Sequence, residues 1–253
     1  MEELVYQFAE YSSHSNKKIP LKRFAFDKKS KESPSEFEVF IKYNGNEYQY
    51  GFRLDDKKVI EEWLYRRDFR SKNKPKYKPL FEREGQIIEC DSKIENAKNL
   101  ANIIEENTLF LSICGNAKIP YVKDVVQWFK NTRILNMGDY DIERIVTRGV
   151  TSNIENREYQ KDIVRFLNAI DINIVDIRVE KQDIESEGGK YKIYFSHKMN
   201  NSDELVEIPF YEESSGTQKM FAMYGLFRDA LEDGMPIFID ELDAKLHPLL
   251  IKY

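Results

Sequence analysis

The sequence predicts an α/β chain in three parts, and three observations predict it. Residues 36–90 alternate apolar and polar side chains with a period of two, residues 93–170 change to helical spacing, and a short apolar run (Met235, then Ile237, Phe238 and Ile239) stops abruptly at Asp240 and Glu241. The expected boundaries are 1–92 for an N-terminal helix and antiparallel β-meander, 93–170 for a helical subdomain, and 171–253 for a lobe carrying a long helix and the acidic strand.

The elements follow in order. Residues 2–11 have helical spacing, with Leu4, Val5 and Phe8 on one face. Phe37, Val39, Ile41 and Tyr43 then alternate, Asn44-Gly45 intervenes, and Tyr48, Tyr50, Phe52 and Leu54 alternate again. Asn-Gly between alternating runs predicts a hairpin, because both central residues of its turn need positive φ. Three further strands are expected at Val59–Arg66, Pro79–Arg83 and Gln86–Cys90. Helical faces follow at Ile94, Ala97, Ala101 and Ile104, at Val122, Val125, Val126 and Phe129, and at Ile163, Phe166, Leu167 and Ile170. Asn136 to Asn156 is charged and short of apolar residues, which predicts an exposed elbow. Strands are expected again at 172–180, 191–195 and 205–209, with a turn at Gly188-Gly189. The final apolar run suits a strand of a parallel sheet, buried on both faces.

Composition narrows the function classes. At 253 residues the chain can bury a sizeable core, and a net charge of −5 gives no general argument for nucleic acid, although the basic stretch from Arg66 to Lys78 keeps a local contact open. No apolar run approaches the ~20 residues of a membrane span, and no signal-peptide pattern opens the chain. Cys90 and Cys114 are isolated and read as reduced core thiols of a cytoplasmic protein. His14, His197 and His247 are too scattered to suggest a metal site.

Two stretches carry chemistry. Asp240 and Glu241 would emerge at the C-terminal end of a buried strand, where open α/β sheets place their ligands. Upstream, Ser214-Ser215-Gly216-Thr217-Gln218 opens an apolar helix, offering hydroxyls and backbone N–H groups at the positive end of the helix dipole. Alone, Ser and Thr before a helix are ordinary caps. The order is more specific: an anion-binding helix start, one helix, a turn at Gly234, then an apolar strand ending Asp-Glu.

With these residues the chain resembles the prokaryotic abortive-infection AAA ATPases, AbiLi-like and OLD-like, whose heads are of the ABC/SMC kind. The likeness is carried by Ser214–Gln218 and by Ile237-Phe-Ile-Asp-Glu-Leu-Asp-Ala-Lys-Leu-His-Pro248, with weaker support from Phe37–Tyr65 and Asn107–Ser112. It implies an ABC/SMC-type P-loop ATPase head that uses ATP and Mg²⁺. The resemblance makes Ser214, Ser215, Gly216 and Thr217 the signature that touches a partner's ATP. Asp240 becomes the Walker B acid that orients Mg²⁺ through water, and Glu241 the general base. Asp243 falls in the loop facing the dimer interface, and His247 in the family's Leu-His-Pro is either helix-start packing or part of the nucleotide site. The resemblance also implies a head-to-head homodimer, with a nuclease or toxin as a further partner.

One part is missing. No Gly-x-x-x-x-Gly-Lys-Ser/Thr occurs in the 253 residues, so no phosphate-cradling P-loop is encoded among them. The expectation is an internal portion of an ATPase head, which alone is inactive. Two other readings stay open. One is a Toprim-like nuclease in which Asp240, Glu241 and Asp243 bind Mg²⁺ directly, which leaves Ser214–Thr217 unexplained. The other is a degenerate, non-hydrolysing interaction module.

Overall fold

A computed structural model describes residues 19, 21, 23–69, 76–170, 172–186, 189–244 and 246. The helix expected over residues 2–11 and the position of His247 lie outside the described residues. The chain divides into two compact units, residues 1–131 and 132–253, and the boundary falls within the segment expected to be a helical subdomain, 93–170.

The first unit opens with a short helix α1 (Lys28–Glu32) capped by Asp27, then lays down an antiparallel meander in chain order. Its strands are β1 (Ser35–Tyr43), β2 (Asn46–Leu54), β3 (Val59–Asp68), β4 (Lys78–Glu84) and β5 (Ile87–Cys90). Asn44 and Gly45 take φ of 46° and 78°, which is what a hairpin turn with the sheet's own twist requires. Tyr48, Tyr50, Phe52, Leu54, Leu64 and Phe81 are buried in a core shared with helices α3 (Phe110–Asn116) and α4 (Val122–Asn131). The Ile94–Ile104 helix is replaced by a 3-10 turn (Ser92–Ala97) and a four-residue helix α2 (Lys98–Ala101). Ile94 is non-helical there, with φ −122° and ψ 32°, yet Ile94, Ala97 and Ile104 are buried as their spacing suggests.

A polar knot pins this sheet to α3. Leu109 has no side chain that can cap that helix, and the Glu62 carboxylate from β3 takes the role, accepting from the amides of Phe110 and Leu111 at 2.7 and 2.9 Å. The Tyr50 hydroxyl donates to the same carboxylate at 3.1 Å, and Arg83 stands 3.5 Å away. Arg83 in turn donates to the carbonyls of Gly85 and Thr108 at 2.8 and 2.6 Å. Both charged side chains are fully buried, and the pairing satisfies each.

In the second unit, β6 (Arg133–Asn136) runs parallel to β10 (Ile237–Asp240), with Asp240 opposite Asn136. Between them in sequence lie helices α5 (Tyr140–Thr151) and α6 (Arg157–Ala169) and an antiparallel meander of β7 (Asp176–Ser186), β8 (Gly189–Lys198) and β9 (Leu205–Pro209). Helix α7 (Ser215–Asp233) follows. Ile163, Leu167, Ile177, Phe195, Phe221 and Tyr224 form the core of this unit.

Three expectations are corrected. Asn136–Asn156 is no exposed elbow: it closes β6 and forms α5, which packs on α7, and Met137, Val150 and Ile154 are buried. Helix α5 turns a narrow stripe, including Val146 and Val150 one turn apart, inward, and the polar residues between them (Arg148 among them) mask it in the sequence. The strand expected from Ile172 begins only at Asp176, so Ile174 and Ile177 are both buried although their positions differ in parity. Finally, β10 is parallel but not buried on both faces. Ile237 and Ile239 are half-buried, while Phe238 on the other face is 52% exposed, with no covering element among the described residues.

Candidate functional site

Helix α7 starts at a side-chain cap. Ser214, extended at φ −57° and ψ 146°, accepts from the amide of Thr217 at 3.1 Å, and the two hydroxyls share a hydrogen bond of 2.8 Å. Ser214 and Ser215 are exposed, Gly216 is half-buried, and Thr217 is buried. The exposed part of the motif is therefore Ser214 and Ser215, and Thr217 supports it from beneath. The first-turn N–H groups of a helix have no intrahelical partner, so this end suits an anion.

The segment before the cap is fastened from two sides. The Gln218 amide donates to the carbonyl of Glu213 at 2.8 Å and to that of Tyr211 at 3.3 Å. The Glu213 carboxylate lies 2.7 Å from Nε2 of His197 on β8, whose Nδ1 is 2.9 Å from the carbonyl of Asn173. A cavity of about 870 Å³ opens beside His197, lined also by Asn168, Asn173, Met199, Asn200 and Ser202. It includes none of Ser214–Thr217, Asp240 or Glu241.

The acidic strand end is a tight turn. Asp240, the last residue of β10, is exposed, and its Oδ1 accepts from the amide of Glu241 at 3.0 Å. Its carbonyl accepts from the amide of Met137 at 3.0 Å, which ties it to the segment leaving β6. Glu241 is exposed and held at φ 55°, a left-handed conformation rare outside glycine. Asp243 is exposed in the turn that follows. Beside this turn, Asn136 Oδ1 accepts from the amide of Gly138 at 2.9 Å. A Cβ on Gly138 would stand 3.1 Å from Asn136 Oδ1 and 3.4 Å, an ordinary contact distance, from Cγ of Glu241, so Gly138 lies directly beside the Glu241 side chain.

One side chain joins the two motifs. Lys219, fully buried on α7, donates from Nζ to the carbonyl of Glu241 at 2.8 Å and to that of Ala244 at 2.7 Å. Sequence reasoning missed Lys219, and it missed Asn136 and Gly138, which it placed in the elbow. A signal for Lys219 existed: it lies three and four residues before Ala222 and Met223, both fully buried, so a lysine occupies the apolar face of its helix. Among the described residues no group of three or more His, Cys, Asp or Glu is arranged to hold a metal ion. No helix among them is long and apolar enough to cross a membrane.

A mixed α/β fold with a hydroxyl-rich helix start and an acidic parallel-strand end is consistent with the P-loop ATPase class. A family profile described as "AAA domain, putative AbiEii toxin, Type IV TA system" matches residues 7–252. The chain belongs to this family of AAA domains. No curated protein and no solved structure matches it.

Proposed function

We propose that the chain is the signature and Walker B portion of an ATP-binding, ATP-hydrolysing ABC/SMC-like head, serving a prokaryotic defence system of the abortive-infection or toxin–antitoxin kind. The observation that carries the reading is the pairing of motifs: Ser214–Thr217 opens the helix whose buried Lys219 grips the Asp240–Glu241 turn. The family membership supports the ATPase class.

Asp240 fits a Mg²⁺ that arrives with a nucleotide. Mg²⁺ keeps several waters and takes one or two carboxylates plus phosphate oxygens, and Asp240 is a single exposed acid at a parallel strand's C-terminal end. Glu241, exposed one residue on, accepts the proton of the attacking water, a role worth ~10²–10⁴-fold in rate. Ser214, Ser215 and the helix-start amides face the γ-phosphate held by a second head, which makes the working unit a head-to-head dimer. Asp243, exposed in the turn, lies toward that second head. The cradle for the β- and γ-phosphates comes from sequence other than these 253 residues, because no P-loop pattern occurs in them. A nuclease that binds Mg²⁺ through Asp240, Glu241 and Asp243 would leave the Ser214–Thr217 helix start without a role.

Equilibrium binding of labelled ATP to the 253-residue chain tests the half-site reading. It should be no tighter than about millimolar, a loss of ~4 kcal/mol from micromolar affinity. Micromolar binding would show that these residues hold phosphates unaided and would overturn it.

A further inference from the structure

We propose that Lys219 is a positioning residue for hydrolysis: it fixes the backbone of Glu241 from inside helix α7, so that the base is aimed by the same helix that presents the Ser214–Thr217 start. The inference rests on the ATPase reading above and assigns it a residue that does not itself touch nucleotide.

Three observations converge on this. Lys219 is completely buried, a placement lysine almost never takes without strong partners. Two of its partners are main-chain carbonyls, of Glu241 at 2.8 Å and Ala244 at 2.7 Å, so the amine holds the backbone path of the turn directly. The turn it grips also needs holding. Glu241 sits at φ 55°, and a non-glycine residue persists there only when its surroundings over-determine it. Other ties are the Glu241 amide on Asp240 and the Ala244 amide on the Glu241 carbonyl at 3.1 Å, both within the turn, and the Met137 amide on the Asp240 carbonyl, from the segment leaving β6. Lys219 is the tie that comes from α7, 22 residues away in sequence.

The geometry gives the tie a direction of action. Lys219 lies two residues after Thr217, within the first two turns of α7. A displacement of the helix start would move Nζ, and with it the Glu241 carbonyl. Since a misplacement of ~1 Å at a reacting group costs ~10²-fold, small movements of α7 suffice to gate the base.

The test uses the full gene product that contains these residues, with Lys219→Met. The substitution keeps the length and apolar stem and removes the amine. Two readouts are taken. Hydrogen exchange at the amides of residues 241–246 should quicken at least 10-fold while β7–β9 keep their protection. In ATP hydrolysis, kcat should fall ~10–100-fold with KM within about twofold of the unsubstituted protein, as expected when positioning and not binding is lost. An unchanged kcat, or equal loss of protection across the whole second unit, overturns the assignment while leaving the ATPase reading intact. Absence of hydrolysis in the unsubstituted protein overturns that reading and this assignment with it, whereas normal hydrolysis with a raised KM and unchanged kcat overturns only this one.

Discussion

Glu241 follows Asp240 in the left-handed region of backbone space, at φ 55°, with its amide bonded to the Asp240 carboxylate at 3.0 Å. A side chain there costs of order 1–2 kcal/mol relative to glycine. Such strain is retained where a particular side chain is needed. Glu241→Gly should therefore hold or raise thermal stability, by up to ~1 kcal/mol, and eliminate hydrolysis in the same protein. A clear loss of stability would mean that the Glu241 side chain holds the turn and that the strain argument is wrong.

The two serines at the start of α7 should separate cleanly. Ser214 caps the helix and also bonds the Thr217 hydroxyl, so Ser214→Ala should cost ~1 kcal/mol in urea unfolding. Ser215 is exposed, and Ser215→Ala should fall within ~0.5 kcal/mol. If Ser215 faces a ligand, its substitution should weaken nucleotide-dependent dimerisation without altering the urea midpoint.

In the first unit, the knot of Glu62, Arg83 and Tyr50 should dominate stability. Glu62→Ala strands a fully buried guanidinium and uncaps α3, a change of the kind that costs ~3–5 kcal/mol. Tyr50→Phe removes one hydroxyl from the same carboxylate and should cost only ~1 kcal/mol. Thermal melts of both variants check the ranking, and a Glu62→Ala protein as stable as Tyr50→Phe would refute it.

Acid stability should depend on the second unit's arginine–carboxylate pairs. Hydrogen bonds from Arg157 hold the Asp176 carboxyl below its usual range, and those from Arg178 do the same for Glu207 and Glu180. Arg178 also stacks on the Tyr194 ring. A depressed folded pKa contributes stability above the unfolded value, near ~4, and that contribution is lost as pH falls through the folded value. The urea midpoint should thus be flat from about pH 7 to 5 and drop below ~4. Arg178→Met should lower the midpoint at pH 7 more than at pH 3, and added salt should shrink the difference because the pairs are exposed. Equal losses at both pH values would contradict this account.

Much of the fold was legible because its signals are local. The Asn44-Gly45 turn, the alternating β2 and the Val122–Phe129 face of α4 each declare themselves within a few residues. The same holds for the acid pair and the Ser214 cap. The illegible parts depend on partners distant in sequence. Arg133–Asn136 becomes a strand because it pairs with Ile237–Asp240, over a hundred residues later, and its own composition gives no period to read. Phe238 is exposed because nothing described covers its face, a fact no run of four apolar residues can reveal. Glu62 looks like a surface charge in the sequence, and although the spacing of Lys219 puts it on an apolar face, only the fold shows what either side chain reaches.

The most direct test of the central claim is Mg²⁺-dependent ATP hydrolysis by the full gene product that contains these residues, compared with its Glu241→Gln variant. The account predicts hydrolysis by the first and a loss of ~10²–10⁴-fold in the second, with ATP still bound. Hydrolysis that survives Glu241→Gln at full rate, or no hydrolysis by the unsubstituted protein, would contradict it.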